Sequence, residues 1–214
     1  MTYSIIGSGA IGSALALHFA KAGVTVRVAN TRGVSSLQPL ADQLGSSIVP
    51  SEMADALKAD VVILALPFTA IKDVLSQEKH WAGRVVVDAT NAIDFSNFTP
   101  MDLGGKPSTL IVAEHAPGAT VVKAFNHIGA NIFKRDADDG RGYGKRTLFL
   151  SGDNKQANDI VAQLMTKMGF APIDLGSLST GGLLQQFGGP LTMHSLVSQE
   201  LDMTNKSGPD IVEH

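Results

Sequence analysis

Apolar and polar positions follow two periods along this chain. Short, nearly continuous apolar runs occur at "YSIIG", "VTVRVA", "DVVILAL", "RVVVDAT", "ATVVKAF" and "RTLFLSG". They are rich in Val and Ile and bordered by Gly, Pro, Asn or Asp, as strands buried on both faces of a parallel sheet must be. Amphipathic stretches separate them, and the spacing predicts helices over Ala10–Ala22, Val34–Leu44, Ser51–Lys58, Thr69–Ser76, Ser108–His115 and Asn154–Met168. In the last of these, Ile160, Leu164, Met165 and Met168 recur at helical spacing. Alternation of this kind predicts an α/β fold, a doubly wound and mostly parallel sheet with right-handed crossovers.

Two segments break the pattern. "DADDGRGYGKR" (136–146) is polar and glycine-rich and reads as an exposed loop, with Asp136, Asp138 and Asp139 as a solvated acidic group. Beyond Leu175, "GSLSTGGLLQQFGGPLTMHSLVSQE" has no clean period. Residues 1–175 therefore read as one nucleotide-binding domain, and 176–214 as a C-terminal extension packed on it. The final "NKSGPDIVEH" reads as frayed. The scattered apolar residues of the extension predict a homodimer with this segment in its interface, two-fold dimers being the commonest oligomers.

The first βαβ unit carries "GSGAIG", which places Gly7, Gly9 and Gly12 in the pattern G-x-G-x-x-G between a strand and a helix. The first glycine permits a tight turn, the second lets backbone approach a pyrophosphate, and the third lets helix and strand pack closely. The helix N-terminus then offers unpaired N–H groups and a positive dipole end to phosphates. In an NAD site the second strand ends near an acidic residue that holds the ribose 2′-OH. Here it ends in "ANTRG", and the nearest carboxylate downstream is Asp42. Arg32 clamps a phosphate bidentately, and Asn30 and Thr31 add neutral hydrogen bonds. The arginine thus predicts NADP(H).

Composition narrows the field further. With 44% hydrophobic and 17% charged residues and a net charge of −3, nothing draws the chain to nucleic acid. No apolar run approaches the ~20 residues that span a bilayer, and no leader-like segment opens the sequence. A cytoplasmic location is expected. The 214 residues contain no cysteine, which excludes disulfides, thiolate catalysis and Cys-ligated metal. No metal-ligand spacing is present, and no metal is expected.

Read together, "IIGSGAIGSALALHFAKAGVTVRVANTR", "VVILALPFTAI", "GRVVVDATNAID", "VVKAFNHIGA" and "LFLSGDNKQANDIVAQLMTKMGFAPIDLGSL" resemble the F420-dependent NADP oxidoreductases and the bacterial dinucleotide-binding reductases related to them. The N-terminal domains of the STEAP metalloreductases are more distant relatives. "VVKAFN" followed by "LFLSGD" is the most specific part of the match. The resemblance implies a Rossmann domain and hydride transfer between NADP(H) and the deazaflavin F420. It also implies roles for individual residues. Ser8, Ala10 and Ile11 contact the pyrophosphate and the 2′-phosphate region. Thr31 and Arg32 clamp the 2′-phosphate, and Leu66 and Pro67 form the turn under the cofactor. Ile128 and Ala130 lie beside the nicotinamide. The chain departs from relatives in following Arg32 with Gly33, Val34, Ser35 and Ser36 rather than a second basic residue, and in placing His127 where many have Thr.

Three functions follow. The first is an NADP(H)-dependent oxidoreductase that passes hydride to F420 or a flavin-like acceptor. The second is a reductase of a small carbonyl or imine with His127 as proton donor. The third is a non-catalytic NADP(H) sensor. Asn91 and Asn126 should reach the crevice, to bond a carboxamide or ribose or to satisfy loop backbone. His18 reads as packing or surface, His115 as closing its helix, and His194 as unpartnered.

Overall fold

The computed structural model describes residues 1–138 and 140–199. Asp139 and the C-terminal "NKSGPDIVEH" lie outside the described residues. The chain runs β1 (Tyr3–Ile6), α1 (Ala10–Lys21), β2 (Val26–Ala29), α2 (Gln38–Leu44), β3 (Ile48–Pro50), α3 (Met53–Ala56), β4 (Val61–Leu64), α4 (Ile71–Leu75) and β5 (Val85–Asp88). A small hairpin, β6 (Ile93–Asp94) and β7 (Thr99–Pro100), follows. Then come α5 (Ser108–His115), β8 (Thr120–Ala124), α6 (Ala130–Phe133), β9 (Lys145–Gly152), α7 (Lys155–Lys167), β10 (Ala171–Asp174), α8 (Gly181–Gln185) and β11 (Val197–Ser198).

The main sheet has the order β10-β9-β8-β5-β4-β1-β2-β3, with β11 also on β9. From β8 to β3 every pair is parallel. β9 runs antiparallel to β8, and β10 parallel to β9. Val28, Ile5, Ile63, Val87 and Val122 lie side by side across five strands and are fully buried, which is why these runs are apolar on both faces. One core joins the sheet to α1 and α7 through Leu15, Phe19, Val161 and Met165. The other holds Leu75, Trp81 and Val112 from the α4 and α5 side. The chain builds outward from β1 to β3 and then restarts at β4, so β1 and β4 flank the topological switch point. The crevice beyond their carboxyl ends is where such folds bind ligands.

The fold is thus the doubly wound Rossmann-type sheet that the pattern predicts. Its details depart from the expected elements where local chemistry intervenes. The expected helix at Val34–Leu44 splits into a 3₁₀ turn, Val34–Leu37, and α2, because Gly33 enters with φ 85° and Pro39 sits in the first turn of α2. Ser51–Lys58 contracts to α3, and Thr69–Ser76 becomes a 3₁₀ turn, Phe68–Ala70, followed by α4. α5 spans its expected residues. α7 starts after Asn154, whose side chain caps the Ala157 N–H at 3.0 Å. The edge strands β3 and β10 each contain a proline, Pro50 and Pro172, a residue that blocks further pairing at a sheet edge. No helix among the described residues is long and apolar enough to cross a membrane.

Residues 176–199 of the extension lie on this same sheet. Leu178 enters the second core. A Cβ on Gly181 would sit 2.6 Å from Ser151 Oγ, and one on Gly188 would sit 2.5 Å from Pro100 Cγ.

Candidate functional site

The three glycines of the loop do three different things. Gly7 has φ 111°, and a Cβ there would lie 2.1 Å from the Ala65 carbonyl oxygen. A Cβ on Gly12 would lie 1.9 Å from the Gly7 carbonyl oxygen. Both are demanded by the fold, since β1, β4 and α1 meet backbone to backbone there. Gly9 is different. Its φ of −73° suits any residue, and a Cβ on it would meet nothing within 4 Å. Nothing in the protein itself asks for glycine at position 9, so the open space in front of it fits a pyrophosphate. The first bond of α1 runs from the Ser13 N–H to the Gly9 carbonyl at 2.8 Å, so the amides of Ala10, Ile11 and Gly12 precede it and face no intrahelical acceptor. No acidic residue lies in the first turn.

At the end of β2 a polar cluster is already assembled. Asn30 Oδ1 accepts from the Arg32 N–H (2.8 Å), fixing the turn. Asn30 Nδ2 donates to Ser8 Oγ (2.8 Å) and to Ser36 Oγ (3.0 Å). The Arg32 guanidinium also donates to Ser8 Oγ, at 3.1 Å. Arg32 is therefore held over the glycine loop. Gly7, Ser8, Gly9, Asn30, Thr31, Arg32, Leu66 and Pro67 line one cavity of about 350 Å³, together with Ile6, Met53, Ala65, Ala70 and Val74. This lining contains a guanidinium and no carboxylate. That donor set fits a 2′-phosphate and leaves the free ribose hydroxyl of NAD without its usual acceptor.

Asn91, Asn126, His127, Ile128 and Ala130 lie apart from this cavity, at the carboxyl ends of β5 and β8. The two asparagines bond each other. Asn91 Nδ2 donates to the Asn126 carbonyl (2.8 Å), and Asn126 Nδ2 donates to Asn91 Oδ1 (3.0 Å) and to the Gln185 carbonyl (2.8 Å). Phe125, just before them, has φ 61°, a left-handed backbone that a phenylalanine rarely adopts. Ile128 is buried, and Ala130 opens the short α6 behind Gly129.

Beneath these turns lies a buried charge pair that the sequence reading did not single out. Lys123 Nζ donates to Asp88 Oδ2 (3.0 Å) and to the Thr90 carbonyl (3.1 Å), and neither side chain is exposed. Asp88 also accepts from the Thr90 N–H (2.9 Å), Thr90 Oγ1 (2.6 Å) and Thr109 Oγ1 (2.7 Å). Burial alone would raise the Asp88 carboxyl pKa, but the Lys123 ammonium and the threonine hydroxyls outweigh it and hold the pKa below the usual value. The available signal was a Lys and an Asp closing otherwise apolar central strands, "VVKA" and "VVVD".

His127 is 1% exposed, and its ring lies 4.8 Å from that of Phe149. Neither ring nitrogen has a well-formed hydrogen bond, and the Thr147 backbone beside the ring only partly offsets its burial. Burial pushes its pKa down to about 4, so at neutral pH the imidazole is uncharged and its one remaining N–H is a poor general acid. His18 is likewise buried, with Nε2 2.5 Å from the Phe133 carbonyl oxygen, and burial lowers its pKa too. His115 closes α5, and Nδ1 of the exposed His194 lies 3.0 Å from the Thr192 carbonyl. Asp136 pairs with Lys21, and Asp138 accepts from the Gly140 N–H at 2.8 Å.

The buried histidines predict an acid-sensitive fold. The unfolded chain protonates His127 near pH 6.5, whereas the folded chain does so only near 4. Stability is therefore complete above pH 6.5 and falls as the pH drops toward 4, by about 3 kcal/mol for His127 alone. Urea denaturation between pH 7 and 4 should show this slope, and His127→Leu should flatten it. A wild-type profile that stays flat across that window would contradict the burial of a neutral imidazole.

With this geometry in place, the comparisons with known proteins fall on the same elements. Residues 2–92, from β1 to just past β5, match the family described as NADP oxidoreductase, coenzyme F420-dependent. Metalloreductase STEAP3 of Rattus norvegicus is 27% identical over 176 residues, 82% of this chain and 34% of that protein. The chain thus spans about a third of the length of that curated relative. A hypothetical protein from Sinorhizobium meliloti has a structure that superposes with a TM-score of 0.90 at 51% identity, covering 93% of this chain and 96% of that one. A protein from Arthrobacter sp., named as an F420-dependent NADP-reductase, superposes with a TM-score of 0.68 at 26% identity, covering 84% of this chain and 86% of that one. On its glycine loop, its strand order and these matches, the chain is similar to the F420-dependent NADP oxidoreductases, whose family model matches its first five strands, residues 2–92.

Proposed function

We propose that this protein is an NADP(H)-dependent oxidoreductase that moves hydride between the nicotinamide and a flat ring acceptor, F420 or a flavin. The observation that carries the cofactor half is the single cavity in which Arg32 is pre-positioned on Ser8 without any carboxylate. The observation that supports the ring acceptor is the state of His127. A carbonyl or imine reductase needs a proton donor within reach of the substrate, and the one imidazole at the β8 turn is sealed and neutral. Bound NADPH supplies the hydride. The chain's own task is to hold the dinucleotide at Gly9, Arg32 and the α1 N-terminus, and to keep water from the β5 and β8 turns. We read the working protein as a homodimer, because Leu183, Leu184, Met193, Leu196 and Val197 of the extension are exposed.

Anaerobic mixing of the NADPH-loaded protein with F420, FMN and a panel of small carbonyls and imines tests the reading, following loss of the reduced nicotinamide. Oxidation by F420 or FMN is expected, and His127→Ala should slow it less than about tenfold. A carbonyl reaction that falls more than about a hundredfold in His127→Ala, with NADPH affinity intact, would replace the ring acceptor with a carbonyl one. Binding of NADPH without turnover on any acceptor would point to the sensor.

A further inference from the structure

The cavity at Gly9 and Arg32 is lined by residues between Ile6 and Val74. The neighbouring part of the crevice, at the carboxyl ends of β5 and β8, is roofed by the chain that leaves α8. Three contacts place residues 186–195 there. Gln186 Oε1 accepts from the Ser108 N–H at the start of α5 (3.1 Å). The Phe187 ring meets that of Phe98, between β6 and β7, edge-on at 5.4 Å. The Met193 N–H donates to the His127 carbonyl (2.6 Å), and its methyl group lies 3.6 Å from where a Cβ on Gly129 would sit. Asn126, His127 and Ile128, in the turn that the segment crosses, are buried.

The segment is held firmly at its two ends and loosely between them. At one end Gln185 Nε2 donates to the Lys123 carbonyl (2.9 Å) and to Ser151 Oγ (3.0 Å). At the other, β11 pairs with β9, the Thr147 N–H donates to the Leu196 carbonyl (2.9 Å), and the Arg146 guanidinium donates to Ser195 Oγ. The bonds between are mostly internal. The Leu191 N–H donates to the Leu184 carbonyl (3.0 Å), the Thr192 N–H to the Gly189 carbonyl (3.0 Å), and Thr192 Oγ1 to the Gln186 carbonyl (2.8 Å). Among the described residues, the bond from Met193 to His127 is the one main-chain link from 187–195 to the sheet and its turns.

That link is made in a strained conformation. Met193 is 67% exposed with φ 62°, and Phe98, across the roof, is 66% exposed with φ 58°. Left-handed backbone is unfavourable for both side chains. Such strain persists where surrounding contacts over-determine it, and it gathers at clamps and switch segments. Here the opposing contacts are few, so release relieves the strain with little loss of bonding. We propose that residues 186–195 form a lid, shut in this structure, which lifts from the hairpin and the β8 turn to admit the flat ring acceptor. Met193 is its latch. The inference rests on the hydride-transfer reading above.

The chain has no cysteine, so one engineered pair can lock the lid. A Cβ on Gly188 would lie 3.4 Å from Pro100 Cβ, close to the ~3.5–4.5 Å that a disulfide spans. Oxidised Pro100→Cys/Gly188→Cys should bind NADPH within about twofold of wild type, yet pass hydride to F420 or FMN at least about tenfold more slowly at low acceptor concentration under anaerobic conditions. Reduction with a phosphine should return transfer to the wild-type rate or above, since φ 88° at position 188 opposes closure on a cysteine. Met193→Asn, whose side chain suits left-handed backbone, should hold the lid shut and slow transfer about threefold at unchanged NADPH affinity. It decides the matter should the double variant fail to fold, and an unchanged rate would then overturn the lid. Equal rates in the oxidised and reduced forms overturn it too, while leaving the hydride-transfer reading intact. So does loss of NADPH binding on oxidation, which would make the segment part of the dinucleotide site. Absence of transfer by wild type and by both forms overturns the lid and the reading together.

Discussion

Gly9→Val should leave the fold intact and remove dinucleotide binding. The φ of −73° at this position is open to valine, and the added Cβ meets no protein atom within 4 Å, so the melting temperature should shift little. The same carbon fills the space into which the pyrophosphate must come, and affinity for NADPH should drop by at least about a hundredfold. Gly12→Ala is the control, because its Cβ would lie 1.9 Å from the Gly7 carbonyl. That variant should lose stability, since backbone must shift to admit it, and overpacking of this kind typically costs about 1–3 kcal/mol or more. Calorimetric titration beside thermal melting separates the two effects. A folded Gly9→Val variant that keeps its NADPH affinity would place the phosphates elsewhere.

Lys123→Met should be among the most destabilising single changes in the chain. It removes the ammonium 3.0 Å from Asp88 and leaves a fully buried carboxylate with only hydroxyl and amide donors. Breaking a buried pair on one side costs about 3–5 kcal/mol. Adding Asp88→Asn to Lys123→Met removes the stranded charge and should recover part of that loss. Urea unfolding at pH 7 measures both variants. A loss below about 1 kcal/mol in Lys123→Met would mean that the threonine hydroxyls, rather than the ion pair, keep Asp88 charged.

The central sheet was legible because strands buried on both faces must be apolar throughout, as "VVIL" and "VVVD" are. The edge strands were not. β3 and β10 are three and four residues long, half exposed and interrupted by Pro50 and Pro172, so no apolar period marks them. The glycine loop was legible as a local motif, and Arg32 could be placed beside it because a strand end fixes where its next residues lie. The sequence did not separate the glycines by role. Gly7 and Gly12 answer to Ala65 and to each other through contacts made only in the folded chain, whereas Gly9 answers to open space. The network at the carboxyl ends of β5 and β8 depends on partners 35 and 62 residues apart, Asp88 with Lys123 and Lys123 with Gln185. No local pattern announces such pairings. His127 was legible as lying in the turn after β8, but its side-chain direction is set by packing against Phe149 of β9.

We propose that Arg32 selects a phosphorylated dinucleotide, and the most direct measurement is calorimetric titration of NADPH and NADH into wild type and Arg32→Ala. Wild type should prefer NADPH, and Arg32→Ala should remove most of that preference, a change of about 1.5–3 kcal/mol for a charge-assisted contact. The affinity for NADH should change little, because the guanidinium then has no phosphate to meet. Equal affinities of wild type for the two cofactors would show that Arg32 meets no 2′-phosphate.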